Sequence, residues 1–383
     1  MSAGAYLALL SFMDLSMYLY IAYTLGVDPL TLGVASALWS ASFIFSNAIF
    51  NHLVDKGSTK LASLISGSSL IVSSIVLFNS NNVVLCVVMY MLHALATASG
   101  RLASNVALLE FSDSDDWSFL NSLMNFLTTF IRGLLLVFFS LGFLTLNILY
   151  VTVIALTTLY VITLPNVWVS IERSVFSMSK QLEALSKHVR VVTALTYLVE
   201  RPYTAAEAFE SLWRSSKEFS PVKPLLSVFL LVTGSDTLMA MLPLILRSKI
   251  AASDTYMVYG IASLIAAVVL IAVSTCRGSK GMAILAVSAR ILVFPTLLLL
   301  DNLTFLVTFL VLANVFYNIY VTSVYYLYVK ATSGYKLSLY NMSLEAGSIL
   351  GSLIGGYVTF NYGYNYTLIA SIIGHIASAI VLI

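Results

Sequence analysis

Apolar runs of about 20 residues follow one another along most of this chain, and that is the length a helix needs to cross the hydrocarbon of a bilayer. They fall near 3–25, 30–50, 61–78, 83–102, 117–142 and 145–164. After a polar interval they resume near 224–246, 254–275, 281–300, 303–329, 337–360 and 365–383. Only 9% of the 383 residues are charged and 60% are hydrophobic, whereas a soluble domain carries about a quarter charged residues. A water-facing surface cannot be built from this composition, so lipid must be the solvent for most of it. Backbone polar groups in lipid need internal partners. The expected fold is therefore an all-α integral membrane protein with twelve transmembrane helices. The first run carries Asp14 and no basic leader, so it reads as span one and not as a cleaved signal peptide.

Basic residues in short loops set the orientation. With the N-terminus inside, the inner loops hold Lys56, Lys60, Arg101, Arg277, Lys280, Lys330 and Lys336, and the outer ones only Arg247 and Lys249. Both termini are expected in the cytoplasm and the protein in the plasma membrane. Two markers then recur at nearly one offset. Lys56-Gly57-Ser58 follows span two and Arg277-Gly278-Ser279 follows span eight, 277 − 56 = 221 residues on; Asp14 in span one and Asp236 in span seven differ by 236 − 14 = 222. That pattern implies a parallel repeat of six spans, an architecture found among secondary transporters. The expected domains are residues 1–164, a linker at 165–223, and 224–383.

The stretch "NHLVDKGSTK" at 51–60 resembles the loop motif of the major facilitator superfamily, Gly-x-x-x-Asp-(Arg/Lys)-x-Gly-x-(Arg/Lys)-(Arg/Lys), which lies between spans two and three. Asp55, Lys56 and Lys60 fit it; Asn51 replaces the first glycine, and Gly57 comes one residue early. The second copy keeps only Arg277 and Gly278. Gly347, Gly351 and Gly355 in span eleven also resemble the close-packed helix of that family. The resemblance implies two pseudo-symmetric six-helix bundles, a cavity lined by spans one, four, seven and ten, and a conformational latch at the loop motif.

The central segment repeats apolar residues from Trp168 to Val192 at alternating steps of three and four, an amphipathic helix with a narrow seam. Pro202 and then Thr204-x-x-Glu207 open a second, shorter helix by a capping box. Both read as linker helices on the cytoplasmic membrane surface or beneath the bundle.

Charges inside spans are costly and face a cavity or a partner. They are Asp14, Arg132, Asp236, Arg290 and Glu345, with His93 titratable among them. Asp14, His93 and Asp236 lie roughly 15–18 Å into their spans, near the midplane. Polar residues at three-or-four spacing accompany them on single helix faces. Candidate cavity positions are Tyr18, Ser40, Asn47, Thr97, Asn125, Asn314, Asn318 and Tyr325. The same stripes would also serve as hydrogen-bonding glue between helices. Asp14, with His93, Arg132 and Asp236, is the candidate for proton coupling; a permanent Asp14–Arg132 bridge is the alternative. Arg290 and Glu345 are expected to pair within the second half.

No P-loop is present, and the four histidines lie on widely separated segments, so neither ATP-driven transport by this chain alone nor a clustered enzyme site is indicated. A net charge of +2 argues against a nucleic-acid partner, and two cysteines are too few for a metal site or disulfide framework. The sequence reads as a monomeric secondary transporter without a cofactor, moving a small polar or amphipathic organic solute by alternating access with protons. A multidrug or metabolite exporter, a uniporter of the same fold and, more remotely, a membrane enzyme are the alternatives. Span five lacks the Gly-x-x-x-Gly-Pro pattern of the family's drug/proton antiporters, which lowers the exporter reading.

Overall fold

The computed structural model describes residues 2–55, 58–111, 117–165, 221–274, 279–299, 302–332 and 337–383. Lys56, Gly57, Arg277 and Gly278 of the expected latch lie outside that set, as do the side chain of Asp55 and both expected linker helices. All regular structure among the described residues is helical. Before the linker come α1 (Ser2–Leu19), α2 (Pro29–Asp55), α3 (Thr59–Phe78), α4 (Val83–Phe111), α5 (Trp117–Ser140) and α6 (Leu146–Thr163). After it come α7 (Val222–Met239), a short α8 (Leu242–Arg247), α9 (Ala252–Ser274), α10 (Lys280–Val293), α11 (Leu303–Thr332), α12 (Leu337–Tyr362) and α13 (Tyr364–Leu382).

Eleven helical segments among the described residues are long and apolar enough to cross a membrane, with α7 and α8 together making one of them. The expected span at 337–360 differs from the rest. It is a 26-residue helix, α12, but Glu345, several serines and four glycines dilute its hydropathy. Length alone qualifies it; Leu350, Leu353, Tyr357 and Phe360 are exposed, while its glycines pack against α2 and α7.

Two helices depart from α geometry at matching places. α1 widens into a π turn at Tyr20–Thr24, closed by Leu25 N–H on the Tyr20 carbonyl at 3.2 Å. α7 breaks at Ala240–Met241 before α8, whose first turn holds Pro243, a residue with no N–H to continue the ladder. Leu244 N–H bonds the Met241 carbonyl instead of that of Ala240. The freed Ala240 carbonyl accepts a 2.6 Å hydrogen bond from Tyr18. Tyr18 and Ala240 are themselves 222 residues apart, the offset of the sequence repeat.

α2 starts at a designed cap. Asp28 accepts from the Thr31 backbone N–H at 3.0 Å and from its hydroxyl at 2.6 Å, and Pro29 occupies the first helical position. Partial burial pushes the Asp28 carboxyl up, but the Thr31 hydrogen bonds outweigh it and hold the group below its ordinary range. The cap is therefore at full strength above the ordinary aspartate value and weakens as pH falls through the lowered one.

Lys60, expected in the latch, caps a neighbouring helix. Its ammonium donates to the carbonyls of Val161, Ile162 (3.2 Å) and Leu164 (3.1 Å), the orphan acceptors at the end of α6. A cation there also meets the negative end of the helix dipole. Lys60→Met should lower stability by about 1–2 kcal/mol. Equilibrium unfolding in detergent checks this, and an unchanged midpoint with slowed transport would return Lys60 to the latch.

Candidate functional site

α1, α2 and α4 bring together Asp14, Trp39, Tyr90 and His93. Tyr90 donates to Asp14 Oδ1 at 3.0 Å, and Trp39 Nε1 donates to His93 Nδ1 at 3.3 Å. His93 Nε2 lies 3.1 Å from the Leu10 carbonyl, which can only accept. The imidazole is thus the neutral tautomer with its proton on Nε2. His93 is fully buried, whereas the Asp14 side chain is 37% accessible although it sits mid-helix in α1. His93 Nδ1 and Asp14 Oδ1 are 4.0 Å apart, but with a neutral imidazole this is proximity and not an ion pair. Tyr90 stacks on both Tyr18 (5.8 Å between ring centroids) and His93 (6.4 Å), so the carboxylate opens onto an aromatic wall.

Arg132 on α5 does not bridge to Asp14. It donates to Ser11 Oγ on α1 at 3.2 Å and to Ser263 Oγ on α9 at 2.9 Å. The alternative of a fixed Asp14–Arg132 bridge has no counterpart here: the carboxylate is taken by Tyr90 and the guanidinium by two hydroxyls.

Arg290 and Glu345 do not pair either. Arg290 is 1% exposed, donates to Ser235 Oγ at 2.9 Å, and lies over the rings of Phe294 (4.9 Å) and Tyr317 (5.1 Å). Depth along a helix fixes height and not direction, and α10 turns Arg290 toward α7 and α11. Asp236 lies within Coulombic reach of Arg290, with Ser348 beside it. Glu345 faces the other way. With Arg101, Phe43, Asn47, Asn105 and Asn341 it lines a cavity of about 490 Å³ between α2, α4 and α12. Arg101 is within Coulombic reach of Glu345, Asp14 and Arg132. A second cavity of about 230 Å³, lined by Ile245, Lys249, Leu297 and Leu306 among others, touches none of these charges.

The other candidates divide. Asn47 lines the larger cavity, and Ser40 donates to Ser348 Oγ of α12 at 3.1 Å. Thr97 turns back on the His93 carbonyl at 3.0 Å, which is glue within its own helix. Asn318 does the same to Asn314, and Tyr325 meets Tyr340 edge-on at 5.2 Å. Asn125 is exposed on α5. Sequence reasoning missed Trp39, Tyr90, Ser235, Ser263 and Tyr317. The signal for Tyr90 was its place three residues before His93, on one face of α4.

The contacts between α1–α6 and α7–α13 are unevenly distributed along the spans. Two crossings rest on glycine. A Cβ on Gly33 of α2 would stand 2.5 Å from the Ser352 carbonyl of α12, and one on Gly133 of α5 would stand 3.0 Å from the Gly260 carbonyl of α9. Among the described residues, side-chain hydrogen bonds across the two sets join Tyr18 to Ala240, Tyr23 to Thr255, Arg132 to Ser263, Ser140 to Ser253, Arg247 to Ala22 and Tyr256 to Ser16, with Ser36 on Ser352 and Ser40 on Ser348. All run from the middle of the spans to the end carrying the turns at 25–28 and 141–145. At the linker end, α2 and α4 stand off from α12 around the 490 Å³ cavity.

No protein-family model matches the sequence, and no curated protein matches it. Solved structures do match. The xylose transporter XylE from E. coli, in a partially occluded inward-open conformation, aligns with a TM-score of 0.62 at 14% identity over 99% of this chain and 96% of that one. The proton:xylose symporter XylE bound to 6-bromo-6-deoxy-D-glucose, a major facilitator superfamily protein, aligns at 0.60 and 12% identity over 99% and 93%. This chain has the major facilitator fold. The nucleoside transporter NupG aligns equally well, at 0.61 and 14% identity over 99% and 98%.

Proposed function

We propose that the protein is a secondary transporter of the major facilitator type, moving a small polar or amphipathic organic solute by alternating access. Twelve spans form two six-helix bundles, residues 1–164 and 224–383, joined by the 165–223 linker. Both termini and the linker lie in the cytoplasm, and the membrane is the plasma membrane. The observation that carries this reading is the uneven interface: side-chain hydrogen bonds and glycine crossings hold the two sets together from mid-span to one end, while a polar cavity parts them at the other. A carrier caught in one of its two access states has this form. Three acids and three arginines face the middle without an acid–arginine contact pair among the described residues, and charges left free in one state are what a second state can recombine.

Asp14 carries the coupling proton. Asp14 combines mid-span depth, a 37% accessible side chain and a hydrogen-bond donor, Tyr90, able to serve the ionised form. Uniport is the competing transport reading, and the response of accumulation to a pH gradient separates the two.

Thiol labelling tests the access state and the orientation together. In a protein with Cys86 and Cys276 replaced by serine, Asn105→Cys should react with an impermeant reagent from the cytoplasmic side, and Ser80→Cys from the opposite side. Reaction of both from one side would overturn the topology.

A further inference from the structure

Arg132 is a cation without an acid in contact. Its terminal nitrogens donate to Ser11 Oγ and Ser263 Oγ, and its Nε is buried with no partner. Ser263 gives its own proton to the Tyr259 carbonyl at 2.7 Å, so it offers the guanidinium only a lone pair. A guanidinium does not deprotonate in a protein, and a buried charge left uncompensated is costly. The nearest acid, Asp14, is within Coulombic reach but its Oδ1 accepts from Tyr90. A permanent charge therefore stands mid-span, between the two bundles, with an unpartnered N–H and two neutral hydroxyls beside it.

We propose that the transported solute carries a carboxylate and that this group seats on Arg132 between α1, α5 and α9. This rests on the transporter reading above and narrows its substrate class. The terminal nitrogens present a planar, charged donor face matched to a carboxylate, and Ser11 and Ser263 supply hydroxyls at its rim. A doubly charged phosphate fits less well, because Asp14 is within Coulombic reach of Arg132 and would repel it more strongly. The proton site follows the same logic. The groups facing Asp14 are Tyr18 on its own helix, Tyr90, His93 and Arg101 from α4, Arg132 from α5 and Glu345 from α12. A carboxylate arriving on Arg132 cancels one of the two cations that favour ionised Asp14, so anion and proton load together.

The test uses matched acid and neutral pairs on the purified full-length protein: nicotinate against nicotinamide, gluconate against glucose, benzoate against benzyl alcohol. Ligand binding raises the unfolding midpoint by linkage. At least one acid should raise it by a few degrees where its neutral partner does not, and more strongly at pH 6 than at pH 8. The shift should vanish in Arg132→Gln and persist in part in Arg132→Lys, with Ser263→Ala weakening it should the glutamine variant fail to fold. A neutral partner acting as well as its acid, an acid effect that survives Arg132→Gln, or no effect of any acid would each overturn the carboxylate assignment. The transporter reading is judged separately. If Ser352→Cys and Asn105→Cys become accessible from opposite sides, that reading stands whatever the acids do; if neither ever changes side, it falls as well.

Discussion

Asp14→Asn should abolish accumulation driven by a pH gradient while substrate exchange across the membrane continues. The amide cannot carry a proton, but its oxygen can still accept from Tyr90, so the aromatic wall of Tyr18, Trp39, Tyr90 and His93 is expected to stay in place. The stability consequence separates this account from a fixed bridge. Breaking a buried contact ion pair by removing one partner costs about 3–5 kcal/mol. Here Arg132 is held by Ser11 and Ser263, so the Asn variant should unfold within about 1 kcal/mol of wild type. A large loss of stability that Arg132→Gln restores would show that the two side chains pair after all. Wild-type uptake in response to a pH gradient would remove Asp14 from coupling altogether.

Glycine substitutions should have opposite consequences at two kinds of crossing. Gly351 of α12 lies against α7, in the same proposed bundle, where a Cβ would meet the Thr233 carbonyl at 2.5 Å; Gly355 is equally tight against Thr237. Neither pair of helices can part without breaking the bundle. Overpacking of about 1–3 kcal/mol falls directly on folding, so Gly351→Val should lower the unfolding midpoint. Gly33 on α2 and Gly133 on α5 meet α12 and α9 across the boundary between the two proposed bundles, and a rocking carrier has an alternative there. The same strain should drive the interface apart at that end. With tenfold per 1.4 kcal/mol, Gly33→Val should shift the access equilibrium by about fivefold to a hundredfold toward the opposite opening, at little cost in stability. Equal destabilisation by Gly33→Val and Gly351→Val would mean that the two bundles do not move against each other.

The sequence made the span positions legible because apolar runs of bilayer length leave the backbone no choice but helix. The Tyr18–Ala240 hydrogen bond joins α1 to α7 at a separation of 222 residues, the offset that the sequence markers showed. Partners were less legible. Arg290 and Glu345 share a depth but look toward different neighbours, one to Ser235 and Tyr317, the other to Arg101 and Asn47. Periodicity gives a face of a helix, and only packing says what lies opposite that face. Lys60 fitted a loop motif, yet its reach to the end of α6 depends on how α3 and α6 are placed. Trp39 read as ordinary apolar filling, since nothing local marks an indole as the donor to a buried imidazole; Tyr90 was marked only by its place on the face of His93.

The central claim is that the two bundles rock about a mid-span site, opening one end as the other closes. Distances between paired spin labels test it most directly, with one pair at Asn105 and Asn341 across the linker-end cavity and one at Thr145 and Asn302 across the other end. Measured in lipid nanodiscs for wild type and Gly33→Val, the first distance should shorten in the variant while the second lengthens. Two distances that stay fixed, or that lengthen together, would contradict alternating access in this protein.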